Sequence, residues 1–580
     1  MDQITKERKT MMTKRLPIGI SDYKILVEGN YYYVDKTLLI KELVEQGGAA
    51  TLITRPRRFG KTLNLSMLRY FFEKPLDNEE NTSILFTHTA IWQDEKYRSL
   101  QGQYPVIFLS FKDIKETNWN DTYEKLKALI ATEYKRFESF ISHNKNKISS
   151  VDLKIFENIL NRTANKVDID QSLKMLTELL HIITKKRVII LLDEYDTPIQ
   201  AAYLHGYYQE MVPFIRNLLT AALKDNSFLE RGLLTGILRT AKEGIFSGLN
   251  NLNVCTFLSE KFSQHFGLLQ NEVDLLLQDY QLADKYDSVK DWYNGYRVGE
   301  RTMIYNPWSL INFVSENGIF QPYWVNTSDN ALIKRILIRS NNTVKAELEN
   351  ILNNVPVTKE IDDAMIFPGI EMNEMAIWSL LFFSGYLTYH ERKLTERGRY
   401  SCNLYIPNAE INILYKRLIS SFLEESLTTI SVQTMLNAMI IGDLHTFSFS
   451  LQEFILNSMS HHDFSAEEPE KSYHLFVLGL LVILSDQYSV HSNREVAHGR
   501  YDILLTPKDP TQTGIIIELK KAPSPDHFTK TCQEALDQIK EKKYAHELRR
   551  QGITHIIAYG IAFFKKELLI TMEPIGSYKN

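Results

Sequence analysis

The sequence predicts an α/β protein in two parts joined by a mostly helical middle, and three stretches of different pattern along its 580 residues predict it. Over roughly residues 15–245, short apolar runs alternate with amphipathic helical patterns, the rhythm of βαβ units around a parallel sheet with flanking helices. From about 255 to 465 the pattern turns to aromatic-rich helices with few convincing strands. After the polar stretch 460–472 the order reads helix, two strands around a turn, helix, and a final strand or two. The expected divisions are therefore 1–250, 251–465 and 466–580, and no internal repeat or low-complexity segment cuts across them.

Composition narrows the function classes. Hydrophobic residues at 44% and charged residues at 24% exclude a disordered chain, and a net charge of -4 leaves nucleic-acid binding to wherever the basic groups cluster. The three cysteines, Cys255, Cys402 and Cys532, lack the spacing of a zinc site or disulfide framework and fit a reducing cytoplasm. The basic start MDQITKERKTMMTKR is not followed by the apolar core of a signal peptide. The longest apolar run, near Val477 to Leu484, is too short to span a bilayer, so no membrane association is expected.

In the first part, buried strands are expected at Thr51 to Thr54, Val106 to Phe111, Val188 to Leu192 and Gly232 to Leu238. The first hands over through RPRRFGKT to a helix, with Gly60, Lys61 and Thr62 at the junction. Unpaired N–H groups at a helix N-terminus attract phosphate, Lys61 adds a mobile charge and Thr62 a Mg²⁺ ligand, as in a P-loop. A full P-loop also wants glycine where Arg55 stands, and Pro56 has no N–H to donate, so the loop is atypical. Arg55, Arg57 and Arg58 beside Lys61 repel one another unless an anion joins them, which favours phosphate or nucleic-acid contact for at least one; the alternative is a basic surface turn.

The strand at 188–192 ends in Asp193 and Glu194, followed by Tyr195 and Asp196, a Walker B pattern. One carboxylate at such a strand tip holds Mg²⁺ and its neighbour orients the attacking water, roles that fall to Asp193 and Glu194. Thr235 ends a further strand, where a polar γ-phosphate sensor belongs, and Arg239 lies nearby. The expected nucleotide-binding set is Arg57, Arg58, Phe59, Gly60, Lys61, Thr62, Asp193, Thr235 and Arg239, with Lys61 and Glu194 catalytic.

Near the C-terminus, GRYDILLTPKDPTQTGIIIELKK reads as two strands around a polar turn. A turn centred on Pro510 pairs Asp502 with Glu518, their Cβ atoms about 4.5–5.5 Å apart. Alternation puts Glu518 and Lys520 on one face and Leu519 on the other. Two carboxylates and an ammonium suit a Mg²⁺ centre for phosphodiester hydrolysis. Glu470 and Glu495 are further candidate ligands, with Gln538 and Tyr544 on the following helix, whereas His474 reads as a packed histidine. The basic residues Lys530, Lys540, Lys542, Lys543, Arg549 and Arg550 either track a phosphate backbone or form a solvated face, since acids are interleaved.

These strings, with LPIGISDY at 16–23, YVDKTLLI at 33–40, LLDEYDTPI at 191–199, LTGILRTAKEGIFSGLNN at 234–251, WYNGY at 292–296 and YNPWS at 305–309, stand in an order that resembles a bacterial family. Its members are AAA-ATPase-like proteins with a C-terminal PD-(D/E)xK nuclease-superfamily domain. The resemblance implies that Arg55 is usual for this loop. It implies ATP binding at Gly60, Lys61, Thr62 and Asp193, and a metal-nuclease centre, with Mg²⁺ or Mn²⁺, at Asp502, Glu518 and Lys520. Defence against foreign DNA, or a role with mobile elements, is what the domain pairing resembles. The partners expected are nucleic acid, DNA ahead of RNA, and a second copy of the chain. A rival reading keeps the nucleotide switch but has the C-terminal fold grip nucleic acid or a protein without cutting. A third makes WYNGY, YNPWS and YWVNTSDN a partner surface, although aromatics in helical regions are more often core.

Overall fold

The computed structural model describes residues 14–75, 81–239, 251–324, 332–333, 336, 340–364, 367–370, 373–426, 431–460, 479, 483–484, 486–492, 495–496, 499–500, 502–542 and 544–576. The chain divides into two compact units, Met1–Leu332 with Thr358–Ile411, and Ile333–Val357 with Asn412–Asn580. Among the described residues no helix is long and apolar enough to cross a membrane.

The first unit is built on five parallel strands, β1 Ala50–Thr54, β2 Val106–Ser110, β3 Val188–Asp193, β4 Leu229–Gly236 and β5 Leu252–Cys255, in the order β2-β3-β4-β1-β5. Helices on both faces of a parallel sheet bury its strands on both sides, and β1 and β3 are buried at every position. The order places β4 between β1 and β3. Thr235 therefore stands beside Ile53, while Ser110 pairs with Asp193 on the other side of β3, so β2, β3 and β4 deliver polar residues to one end of the sheet. That end is where open α/β sheets bind ligands.

The stretch expected to be helical with few strands carries five more. A short hairpin joins β6 Tyr296–Val298 to β7 Thr302–Ile304, and a three-stranded sheet has the order β8-β10-β9, from β8 Val357–Ile361, β9 Thr388–Leu394 and β10 Tyr400–Tyr405. The sequence hides them for a physical reason: β6 and β7 are three residues each, and β9, TYHERKL, lacks apolar alternation because most of it is exposed or half-exposed.

In the second unit a five-stranded sheet has the order β11-β14-β15-β16-β17, from β11 Tyr488–Ser492, β14 Ile503–Pro507, β15 Gly514–Lys521, β16 Ile556–Phe564 and β17 Glu567–Pro574; a small separate ribbon pairs β12 Glu495–Val496 with β13 Gly499–Arg500. Only β15 and β16 run parallel in that sheet, joined through the Phe528–Glu541 helix. One sheet face contributes Ile503, Leu505, Ile515 and Ile517 to a core with the Val432–Ile441 and Leu444–Ser460 helices. The other contributes Leu504 and Ile516 to a core with Leu536, Ile539 and Leu548. Tyr559 donates its hydroxyl to the carbonyl of Met439 at 2.6 Å, pinning the first layer. Residues 251–465 are thus shared between the units rather than forming a body of their own.

Candidate functional site

Gly60 takes φ +81, a left-handed conformation that only glycine adopts cheaply, and turns the chain from the 55–60 loop into the Lys61–Phe72 helix. Nothing lies within 4 Å of where its Cβ would be, so the backbone there is open to close approach. The Lys61 ammonium donates to the carbonyls of Arg55 at 3.0 Å and Pro56 at 2.8 Å. Burial lowers its pKa, and Glu194, Asp193 and Asp196 oppose that shift.

Asp193 at the tip of β3 is fully buried and accepts from three hydroxyls: Thr62 at 2.7 Å, Thr235 at 2.7 Å and Ser110 at 3.3 Å. Burial pushes its carboxyl above the usual range, Glu194 adds to the push, and the Thr235 and Thr62 hydroxyls and Lys61 oppose it. Thr235, read from sequence as a phosphate sensor, here holds Asp193. Glu194 sits at φ +52, a strained conformation for a side chain with a Cβ, and accepts from the Thr197 hydroxyl at 3.2 Å. Asp196 is structural: its buried carboxylate accepts the N–H groups of Ile237 and Leu238 at 3.0 Å each, fixing the turn after β4.

Over this end lies a cavity of about 450 Å³, within the range of small-molecule sites. Lys61, Thr62, Glu194, Arg57 and Arg58 give it a polar, cationic side; Pro17, Ile20, Pro307, Trp308 and Ile311 give it an apolar one. Lys112 and Lys115, in the loop after β2, also line it and carried no motif in the sequence.

The atypical loop is explained by what surrounds it. Arg55 is fully buried and donates to the carbonyls of Thr54 at 2.8 Å, Cys255 at 3.4 Å and Phe262 at 3.3 Å, with Phe257 and Phe266 beneath its guanidinium. Burial pulls it down to about 10, which leaves it charged at neutral pH. It is an anchor, not a phosphate ligand. Pro56 packs on Gly385, the Arg57 carbonyl accepts the Trp324 indole N–H at 3.1 Å, the Arg58 guanidinium lies 4.2 Å over the Trp308 ring, and Phe59 meets Tyr296 edge-on at 5.1 Å. The aromatics of WYNGY and YNPWS therefore enclose the loop. Arg239 pairs with both carboxylate oxygens of Asp363 at 3.1 Å.

In the second unit β14 and β15 pair Ile503 with Ile517 and Leu504 with Ile516, the register expected, and Asp502, one residue before β14, lies close enough for its charge and its backbone N–H to act on Glu518. Asp502 accepts the Leu519 N–H at 2.7 Å. Glu518 and Lys520 share a face and meet through one side chain: Gln538 donates to Glu518 Oε1 and accepts from Lys520 Nζ at 2.8 Å. Glu518 Oε2 is buried with no hydrogen-bond partner. Burial, then the charge of Asp502, pushes the Glu518 carboxyl up to about 8, with Lys520 opposing. Gln538 was noted in the sequence only as a neighbour; its bridging role needed the fold.

Glu470 and His474 lie outside the described residues, and Glu495 is placed only by backbone, in β12 opposite Arg500. Among the described residues no three His, Cys, Asp or Glu side chains converge as a metal cluster. Several of the basic residues already have partners: Lys530 with Glu534 at 3.9 Å, Lys540 with Glu573 at 2.5 Å, and Arg549 on the Gly576 carbonyl at 2.6 Å. Lys543 is outside the described residues.

Both sites fit a divalent cation by the chemistry of their donors. Thr62 and Asp193 offer hydroxyl and carboxylate oxygen in contact, and the orphaned Glu518 Oε2 near Asp502 is a buried acceptor without a donor.

The comparisons agree with this division. Residues 17–246 match the family described as Predicted AAA-ATPase, and residues 468–573 match the PD-(D/E)XK nuclease superfamily. A protein of Azotobacter chroococcum mcd 1, described as an uncharacterized protein in vnfD 5'region, is 26% identical over 559 residues, covering 93% of this chain and 95% of that one. The two matches follow one another along the chain, a segment similar to predicted AAA-ATPases and then a C-terminal segment similar to the PD-(D/E)XK nuclease superfamily.

Proposed function

We propose that the protein binds and slowly hydrolyses ATP in the cavity over the first sheet, and that this site governs a metal-dependent nuclease centre at Asp502, Glu518 and Lys520. What carries the reading is the convergence of Lys61, Thr62 and Glu194 on one cavity, with Thr62 bonded to Asp193 behind them. The triphosphate takes the cationic side and the base the apolar side. Lys61 leaves the carbonyls of Arg55 and Pro56 for phosphate oxygens, which are stronger acceptors because they are charged. Glu194 orients a water in line with the γ-phosphorus; the P–O bond to ADP breaks as the water oxygen bonds. Arg57 or Arg58 meets charge developing on the phosphate, and Thr235 acts by holding Asp193.

Thr62 and Asp193 would hold Mg²⁺ at the first site, and Asp502 and Glu518 would hold Mg²⁺ or Mn²⁺ at the second, with Glu470 and Glu495 as further ligands. The cation, when bound, neutralises phosphate charge and makes water a better nucleophile. Lys520, held by Gln538, faces the phosphate and stabilises charge as the phosphodiester bond breaks. The substrate is nucleic acid, DNA ahead of RNA, the setting a cytoplasm, and the role defence against foreign DNA. Self-association belongs to the same proposal.

One observation favours a second reading, binding without cleavage: Asp502 Oδ2 already accepts the Leu519 N–H, and Glu518 Oε1 the Gln538 amide. Purified full-length protein, labelled single- and double-stranded DNA and RNA, and additions of ATP, Mg²⁺ and Mn²⁺ separate the two. Cleavage that needs metal and is lost in Asp502→Ala is the expected result. Retention of nucleic acid with no cleavage under any condition would favour the second reading.

A further inference from the structure

The 55–60 loop is held from outside by two tryptophans. The Trp324 indole N–H donates to the Arg57 carbonyl at 3.1 Å, and the Trp308 ring lies 4.2 Å from the Arg58 guanidinium. Both lead to one side chain. Glu410 Oε1 accepts the backbone N–H of Trp324 at 2.8 Å, and its Oε2 accepts the hydroxyl of Ser309, next to Trp308, at 2.8 Å. Glu410 is fully buried and lies in the first turn of the Ala409–Ser426 helix, within which the chain passes from the first unit into the second.

Such a carboxylate is an expensive way to fill space. A buried acid without a base beside it costs several kcal/mol of lost hydration unless its oxygens are met, and an apolar side chain of that size would avoid the cost. Here its oxygens are met by donors from the two segments that grip the loop. Burial pushes it up to about 7, with the Trp324 N–H and the Ser309 hydroxyl opposing.

We infer that Trp324, Trp308 and Glu410 are positioning residues of the nucleotide site that report the state of the 55–60 loop to the Ala409–Ser426 helix. The inference rests on the ATP reading above. A triphosphate in the cavity acts on the loop twice: it takes Lys61 from the carbonyls of Arg55 and Pro56, and its charge competes with Trp308 for Arg58. Arg57 lies between these points, so its carbonyl, and with it Trp324, feels both changes. Glu410 receives them through two hydrogen bonds that end at the start of the helix.

The test uses the full chain and three variants: Trp324→Phe keeps a ring but removes the indole N–H, Glu410→Gln keeps the shape, and Ser309→Ala removes one donor at little risk to folding. Two readouts are taken together, ATP affinity from a binding curve and the ATP-induced change in amide hydrogen exchange across residues 409–426. In wild type, ATP is expected to change exchange in this helix. The variants are expected to lose that change, wholly in Trp324→Phe and Glu410→Gln and in part in Ser309→Ala. Their ATP affinity falls by no more than about tenfold, the worth of one hydrogen bond. A wild type that binds ATP while its helix stays indifferent overturns the inference and leaves the ATP reading standing, as do variants that respond as wild type does. A flat binding curve for wild type overturns both, and shows that the ATP reading failed first.

Discussion

Single side chains carry the sharpest expectations. On the proposed function Lys61→Ala removes the ammonium that meets phosphate in the ground state, so ATP binding is expected to weaken strongly and turnover to be lost. Glu194→Gln keeps the shape and the hydrogen bond to Thr197 while removing the charge that orients water, so binding survives and turnover stops; equal turnover in wild type and Glu194→Gln would refute that role. Glu518 gives a pH signature. Its folded pKa of about 8 lies above the ordinary carboxyl value, so between the two the folded protein holds a proton that the unfolded chain does not. Stability from this group is present at low pH and falls as pH rises toward 8. A metal held by Glu518 as proposed must displace the same proton, so on that proposal metal affinity rises over this range. Denaturant melts and metal titrations from pH 5 to 8 should show both slopes, and Glu518→Gln should flatten them. The pair Asp502 and Glu518 was legible in the sequence because strand period and turn position fix which residues oppose. Trp324 and Glu410 were not, because the contact of Trp324 with Arg57 spans 267 residues and leaves no local pattern.

At the scale of elements, the departure from a glycine-rich P-loop is compensated by packing. Arg55→Met leaves the carbonyls of Cys255 and Phe262 without their donor, at about 1–3 kcal/mol for each buried group. The first unit should melt earlier and bind ATP more weakly, even though this side chain does not line the cavity; unchanged stability would show that the loop holds its shape unaided. Gly295 in WYNGY has a comparable role. It takes φ +101, and a Cβ there would sit 2.1 Å from the Pro407 carbonyl oxygen, so Gly295→Ala must displace the chain just before Glu410. Thermal melting should show a loss on the order of 2 kcal/mol or more. The sequence marked both strings as distinctive, but Arg55, one of three arginines read as candidates for phosphate contact, is told apart from the other two only by the phenylalanines around it.

For the whole molecule, the α/β character of both ends was legible because short buried apolar strands alternate there with amphipathic helical stretches. The allotment of the middle was not. The amphipathic faces of Val432–Ile441 and Leu444–Ser460 announce that each helix needs a partner, without saying that the partner is the second sheet. The middle thus contributes to two cores, one enclosing the nucleotide loop and one backing the Asp502 and Glu518 strands, which is the physical ground for expecting the centres to communicate. Linkage makes that expectation reciprocal: if ATP changes affinity for nucleic acid by some factor, nucleic acid changes affinity for ATP by the same factor. The most direct test is the ATP affinity of Asp502→Ala protein, which leaves its substrate uncut, measured with and without saturating nucleic acid. The account predicts a shift equal to the one ATP produces in nucleic-acid affinity; identical ATP affinities, with cleavage by wild type indifferent to nucleotide, would contradict it and leave two independent centres on one chain.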